Sequence, residues 1–228
     1  MKPTTTIHVM RHGEVDNPTG VLYGRLPGFR LTPLGKQMAD EVANALVAQN
    51  RDITYVVASP LLRAQQSAAP TARLYNLEVD EDPRLIEAGN AFEGEAINAN
   101  RWMLAHPRNW VRYRNFFRPS WGEPYAQQAR RMSAAVSSAL DHARGHEALV
   151  VSHQLPIWCL RSFIEGRPYA HLPAMRECAL ASLTSLTFSG NTLVGLSYWE
   201  PASDLLTQAH DMTPGTSQAA LSRGEVGQ

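Results

Sequence analysis

Residues 9–18 read VMRHGEVDNP: an apolar run passes into arginine, histidine, glycine and an acid, then an asparagine-proline pair. Successive strand side chains point to opposite faces, so Arg11 and His12 cannot both address one ligand while a strand continues through them. The strand has to end at this dipeptide, with Gly13 permitting a sharp exit and Asn17-Pro18 marking the loop beyond. The same event recurs twice. TYVVAS (54–59) and ALVVSH (148–153) are near-continuous apolar runs, as expected of parallel strands buried on both faces, and each stops on a polar residue before a helical segment.

The rest of the chain alternates in the same way. TTIHVMR (5–11) is the first strand and LEVDED (77–82) a weaker fourth, while SLTSLTF and NTLVGLSYWE, separated by Ser189 and Gly190, predict a hairpin. Leu34, Met38, Val42, Ala45 and Leu46 repeat at helical spacing behind a Thr32 N-cap and Pro33. Ser59-Pro60 repeats that start signal for a helix carrying Leu61, Leu62 and Arg63, which Pro70 is expected to end or kink. A third helix is predicted from about Pro124 to Arg144, with Met132, Val136 and Leu140 inward and Gly145 as its stop. This pattern specifies an α/β protein, a three-layer α/β/α sandwich around a mostly parallel sheet.

At 228 residues and 44% hydrophobic, the chain suits one domain, 1–228, with a lid-like insertion at about 90–122 and a flexible tail from about 204. The 21 basic and 21 acidic residues cancel, so no global field draws the protein to nucleic acid or to an anionic membrane, and any anion site is local. The first residues, MKPTTTIHV, hold no signal-type apolar run, no stretch is long enough to span a membrane, and Cys159 and Cys178 lack metal-type spacing; the expectation is a cytoplasmic protein. The hairpin near the C-terminus offers a sheet edge through which a homodimer is possible.

Three strand ends supply two histidines, His12 and His153, and two arginines, Arg11 and Arg63. In an open parallel sheet ligands bind outside the carboxyl ends of the strands, and helix N-termini there add oriented N–H groups, so the convergence suits a phosphate-like dianion. A histidine among arginines is held neutral by their charge, which leaves a lone pair for in-line attack on phosphorus while the arginines neutralise the equatorial oxygens.

RHGE at Arg11–Glu14, LTPLG at Leu31–Gly35, SPLLRAQQSA at Ser59–Ala68, RLIEAGNAFEG at Arg84–Gly94 and VVSH at Val150–His153 occur in that order. Over residues 5–160 this set resembles the histidine phosphatase superfamily, also called phosphoglycerate-mutase-like. The resemblance implies that His12 is a nucleophile that becomes phosphohistidine, and that Arg11, Arg63 and His153 form the phosphate pocket with Asn17 and Gln154 as helpers. It makes Glu87 the acid for the leaving oxygen, a role that suits a carboxyl beside Leu85, Ile86 and Phe92, although Glu93 and Glu95 compete. Gln154 stands where the family often has glycine, and Gly122-Glu123-Pro124 replaces its Gly-Glu-Ser.

The implied activity is a metal-independent phosphomonoesterase, without cofactor, acting on a small phosphorylated metabolite. Alternatives are a phosphomutase of the phosphoglycerate type, or a non-catalytic phosphate-binding module. His142 and His146 have the spacing of a metal pair but no third ligand, and His8 is expected to be a core or edge residue. RWMLAHPRNWVRYRNFFRPSW (101–121) interleaves arginines with aromatics; it reads equally as a lid that selects substrate or as a solvated basic loop.

Overall fold

The computed structural model describes residues 3–95, 122–169 and 176–210. Its elements are β1 (Thr4–Arg11), α1 (Pro33–Ala48), β2 (Ile53–Ala58), α2 (Leu62–Tyr75), β3 (Asp80–Glu81), α3 (Tyr125–His142), β4 (Glu147–Ser152), α4 (Gln154–Ile164), β5 (Leu183–Ser189) and β6 (Thr192–Trp199), with short 3₁₀ turns at Pro83–Leu85 and Ser203–Gln208. One six-stranded sheet runs in the order β3-β2-β4-β1-β5-β6. The first four strands in that order are mutually parallel, and β5 and β6 are antiparallel to their neighbours.

The apolar runs are continuous because alternate residues enter two different cores. Met10, Val56, Leu149 and Val151 face α1 and α2 with Met38, Val42, Leu46, Ala64 and Ala68. Ile7, Val9, Val57, Ala148 and Val150 face α3 and α4 with Met132, Val136, Leu140, Ile157 and Leu160. Each face gains roughly 25 cal/mol for every Å² of apolar surface removed from water, so a one-residue slip that exchanged the faces would be strongly opposed.

Strands β1 and β4 are neighbours, but the helices that follow them leave on opposite faces, α1 into one core and α4 into the other. The chain from β1 passes over to β2, while that from β4 passes the other way to β5. A crevice therefore opens between the carboxyl ends of β1 and β4, where Arg11 and Ser152 are register partners.

Several sequence expectations need correction. β2 and β4 each stop one residue early, leaving Ser59 and His153 beyond the sheet. Ser59 is not a helix cap: α2 starts at Leu62 behind an extended Leu61 with no side-chain cap, because Ser59 lies too far upstream and its hydroxyl meets His153. Pro70 does not end α2, which continues to Tyr75. Only the N–H of one helical bond is lost there, and the packing of Ala64, Ala68 and Ala72 into the core outweighs it. LEVDED forms a strand only at Asp80–Glu81. The tail expected to be flexible from about 204 is held at its start: Leu205, Leu206 and Ala209 pack on the core and the His210 N–H donates to Glu14 Oε1 at 2.7 Å. Its remainder lies outside the described residues.

The loop leaving β1 runs against the first turn of α1. A Cβ on Gly13 would overlap the Gly35 carbonyl oxygen, and one on Gly35 would overlap the Glu14 carbonyl and come within 2.8 Å of the Glu14 nitrogen. The glycines of RHGE and LTPLG are thus required by each other. Gly35→Ala is expected to destabilise the protein by about 1–3 kcal/mol, read as a lower urea midpoint at unchanged slope, because backbone rather than a flexible side chain must yield.

Candidate active site

His12 lies just past β1, yet its backbone is bonded on both sides: its N–H donates to Ser152 O at 3.2 Å and its carbonyl accepts from Ala181 N at 3.3 Å. The side chain is 2% exposed, and Nδ1 lies 2.7 Å from the Gly13 carbonyl. A carbonyl can only accept, so Nδ1 carries a proton, and in the neutral ring the lone pair lies on Nε2.

Arg11 is the last residue of β1, and its Nη1 donates to Cys178 O at 2.8 Å. Arg63 sits in the first turn of α2 at 1% exposure. Its guanidinium lies 4.7 Å over the Tyr23 ring, Nη2 donates to Gly24 O at 2.7 Å, and Nε is buried without a protein partner. Burial lowers its pKa, opposed by Tyr23, Glu87 and Glu93, but arginine starts so high that it stays charged. Ser67 ties the two strand ends together, accepting from Gly13 N at 3.1 Å and donating to Arg63 O at 2.7 Å.

His153 begins α4 without capping it. Its ring centroid is 5.1 Å from that of His12, and Nε2 lies 2.8 Å from Ser59 Oγ. Burial first, then the charges of Arg63, His12, Arg131 and Arg11, push its pKa well below the usual imidazole range, so it is neutral. His12, Arg11, Arg63 and His153 are thereby gathered from three adjacent strand ends.

Glu87 is half-buried, and burial raises its pKa above the ordinary carboxylate range against the pull of the Ala88 N–H and of Arg63, Arg176 and Arg131. Its loop is held from several sides. Arg25 Nε donates to Glu87 O at 2.7 Å, Arg131 Nη1 donates to Arg84 O and Ile86 O at 2.6 and 2.5 Å, and Glu123 N donates to Gly89 O at 3.1 Å. The Glu123 carboxylate orients both arginines, accepting from Arg25 Nη2 at 2.8 Å and from Arg131 Nε and Nη2 at 2.8 and 2.9 Å. Its competitor Glu93 is engaged by Asn90 N at 3.1 Å and packs on Gly24.

The two residues expected to help, Asn17 and Gln154, differ in their surroundings. Asn17 is turned into its own loop, donating to Val21 O at 2.8 Å and accepting from Val21 N at 3.2 Å. Gln154 Nε2 donates to Cys178 O at 3.3 Å, the carbonyl that Arg11 uses, and Gln154 Oε1 accepts from Arg176 Nη1 at 3.1 Å. Arg176 was not identified from sequence. Its charge acts on Glu87 and Arg11, but it stands in an irregular segment before β5 where no periodicity or motif marks it. Arg25 and Tyr23 escaped notice for the same reason, and Arg131 because it stands beside the apolar stripe of α3, where an arginine reads as surface.

Three other described histidines are committed elsewhere. His8 bonds Ser185 Oγ and Glu147 Oε2, both at 2.7 Å; His142 bonds Ser138 O at 2.8 Å and stacks on Tyr55; and His146 meets Asp52 at 2.6 Å. Among the described residues no helix is long and apolar enough to cross a membrane. Residues 96–121, which hold most of the expected lid, lie outside the described residues.

Comparison with known proteins agrees with the fold. The family model of the histidine phosphatase superfamily (branch 1) matches residues 7–200. The chain is 51% identical over 202 residues to the uncharacterized protein Rv0525 of Mycobacterium tuberculosis strain H37Rv, spanning 89% of this chain and 99% of that one. It is 31% identical over 184 residues to the probable phosphoglycerate mutase GpmB of Yersinia pestis, covering 77% and 82% of the two chains. Two solved structures share its fold: YhfR of Bacillus stearothermophilus (TM-score 0.69, 24% identity, 83% and 94% covered) and the mycobacterial glucosyl-3-phosphoglycerate phosphatase Rv2419c (TM-score 0.68, 23% identity, 86% and 99% covered). The chain that brings His12, Arg11, Arg63 and His153 to one crevice belongs to the histidine phosphatase superfamily, branch 1.

Proposed function

We propose that the protein is a metal-independent phosphomonoesterase that hydrolyses a small phosphorylated metabolite through a phosphohistidine on His12. The observation that carries this reading is the Nδ1 contact of His12 with the Gly13 carbonyl, which in the neutral ring leaves the lone pair on Nε2, with the His153 ring 5.1 Å away. The arginines supply the positive charge that phosphoryl transfer requires in its transition state.

In the first half-reaction the Nε2 lone pair attacks phosphorus and the phosphorus–oxygen ester bond breaks. The departing oxygen takes the Glu87 proton and leaves as an alcohol. In the second, the Glu87 carboxylate removes a proton from water, the hydroxide attacks phosphorus, and the nitrogen–phosphorus bond breaks to release inorganic phosphate. Glu87 ends protonated, as it began. Its raised pKa suits a group that must hold a proton near neutrality and then accept one back.

His12→Ala is expected to abolish turnover, and brief incubation of wild type with substrate should leave acid-labile, alkali-stable phosphate on the protein. An active enzyme that never becomes labelled would refute the reading. The likeness to a probable phosphoglycerate mutase supports a second reading, in which the phosphoryl group returns to a bound acceptor instead of water. Quantifying released phosphate against isomerised product separates the two.

Two expectations concern Glu87. Glu87→Ala should slow phosphorylation of the protein by alkyl phosphates by about 10²–10⁴-fold but by p-nitrophenyl phosphate far less, since nitrophenolate leaves without a proton, whereas the later hydrolysis of the phosphohistidine should slow equally for both; burst and steady-state rates separate the two steps. In wild type the alkyl phosphate rate should fall on the alkaline side as the carboxyl ionises. The raised pKa means that folding favours the protonated form, so its contribution is complete below the unfolded carboxylate pKa and is lost as pH rises through the folded value. Glu87→Gln should therefore melt higher than wild type at pH 8, by about 2–4 °C for each kcal/mol relieved, and the gain should vanish at acid pH.

A further inference from the structure

Ser59, the residue directly after β2, has no part in the two half-reactions. It is fully buried, and its hydroxyl has two hydrogen-bond partners: it accepts from Leu61 N at 3.4 Å and lies 2.8 Å from His153 Nε2. His153 feels positive charge from Arg11 at the end of β1, Arg63 on α2 and Arg131 on α3, and His12 just past β1 would add to it if its ring were protonated. A neutral imidazole bears one N–H, and the nitrogen that carries it decides whether the ring meets a phosphate as donor or as acceptor. Nδ1 is buried and has no protein partner.

We propose that Ser59 is a positioning residue that fixes the tautomer of His153. Its hydroxyl donates to Nε2, so the ring proton resides on Nδ1, and His153 enters the pocket as a neutral N–H donor to a phosphoryl oxygen. Hydrogen-bond accounting favours this arrangement on two grounds. With the proton on Nε2 instead, the Ser59 hydroxyl hydrogen would have no acceptor in a fully buried position, since its other partner is itself an N–H. The same reversal would turn the Nδ1 lone pair toward phosphate oxygens, setting acceptor against acceptor. Because the His153 side chain makes no cap bond to α4, the hydrogen bond to Ser59 is the one that orients its ring among the described residues. The donor role rests on the phosphatase reading above, whereas the tautomer itself does not.

The test uses the full-length protein labelled with ¹⁵N in its histidine rings, with the His153 signals assigned by their loss in His153→Asn. Two-bond proton–nitrogen correlation at neutral pH should show a pyrrole-like Nδ1 and a pyridine-like Nε2, and inorganic phosphate should shift Nδ1 without exchanging the pattern. The opposite tautomer, or a charged ring, would overturn the proposal without any variant having to fold. In the kinetic arm, Ser59→Ala should lower kcat for p-nitrophenyl phosphate by about 10–100-fold and scramble the tautomer signature, while Ser59→Thr, which restores the hydroxyl, should recover both. A Ser59→Ala enzyme with wild-type kcat and an unchanged His153 spectrum would refute the role of the serine. Absence of any hydrolysis by wild type would instead defeat the proposed function, leaving the spectrum to decide the tautomer on its own.

Discussion

The close backbone approach of Gly13 to Gly35 is the constraint on which the site depends. It sets the path of the chain as it leaves β1, and so the position of the Gly13 carbonyl that holds Nδ1 of His12. A Cβ at either position would force the two backbones apart, and any displacement would pass directly to that hydrogen bond. Glu14 reinforces the join from the other side, accepting from the Thr32 hydroxyl at 2.5 Å while Thr32 caps α1 through Gly35 N at 2.8 Å. One loop thus starts a helix and sets a histidine tautomer together.

The site concentrates positive charge where burial opposes it. Arg63 is 1% exposed and its pKa is lowered by desolvation, so the fold tolerates an unfavourable cation that a dianionic ligand would relieve. His153 resolves the same conflict differently, by remaining neutral among the arginines. A pocket made of two fixed cations and neutral imidazoles can attract a phosphate while keeping a nucleophilic lone pair unprotonated. Three cationic imidazole or guanidinium groups around His12 would bind the anion but would leave less incentive for a ring nitrogen to attack.

The sheet, its two-faced strands and the four central side chains were legible because each has a local cause. Continuous apolar runs follow from burial on both faces, and Arg11-His12 can converge only where a strand stops. The errors arose where tertiary contact overrides local signal. Ser59 looked like a helix cap because serine before proline is a sound start signal, but its hydroxyl bonds a histidine 94 positions away in sequence. Pro70 looked like a helix end, yet the alanines around it pack into the core of α1 and β2. Arg176, Arg25 and Arg131 were invisible because a long arginine reaches its target from irregular or solvent-patterned sequence, without any periodicity to mark it.

Glu87 illustrates how a residue with a weak sequence signal can be rigidly placed. Its loop is gripped by Arg25 at its own carbonyl, by Arg131 at Arg84 and Ile86, and by Glu123 N at Gly89. Gly122 must be glycine here, because a Cβ would come within 2.7 Å of Gly89 O where Asn90 and Gly122 pair. The chain therefore departs for the excursion and returns from it at one point, a few residues beyond Glu87. Among the described residues, the groups that hold the Glu87 loop lie on α3, on the loop after β1 and at Glu123. Pro124, where the resemblance leads one to expect serine, leaves the Glu123 carboxylate engaging two arginines at 2.8 Å.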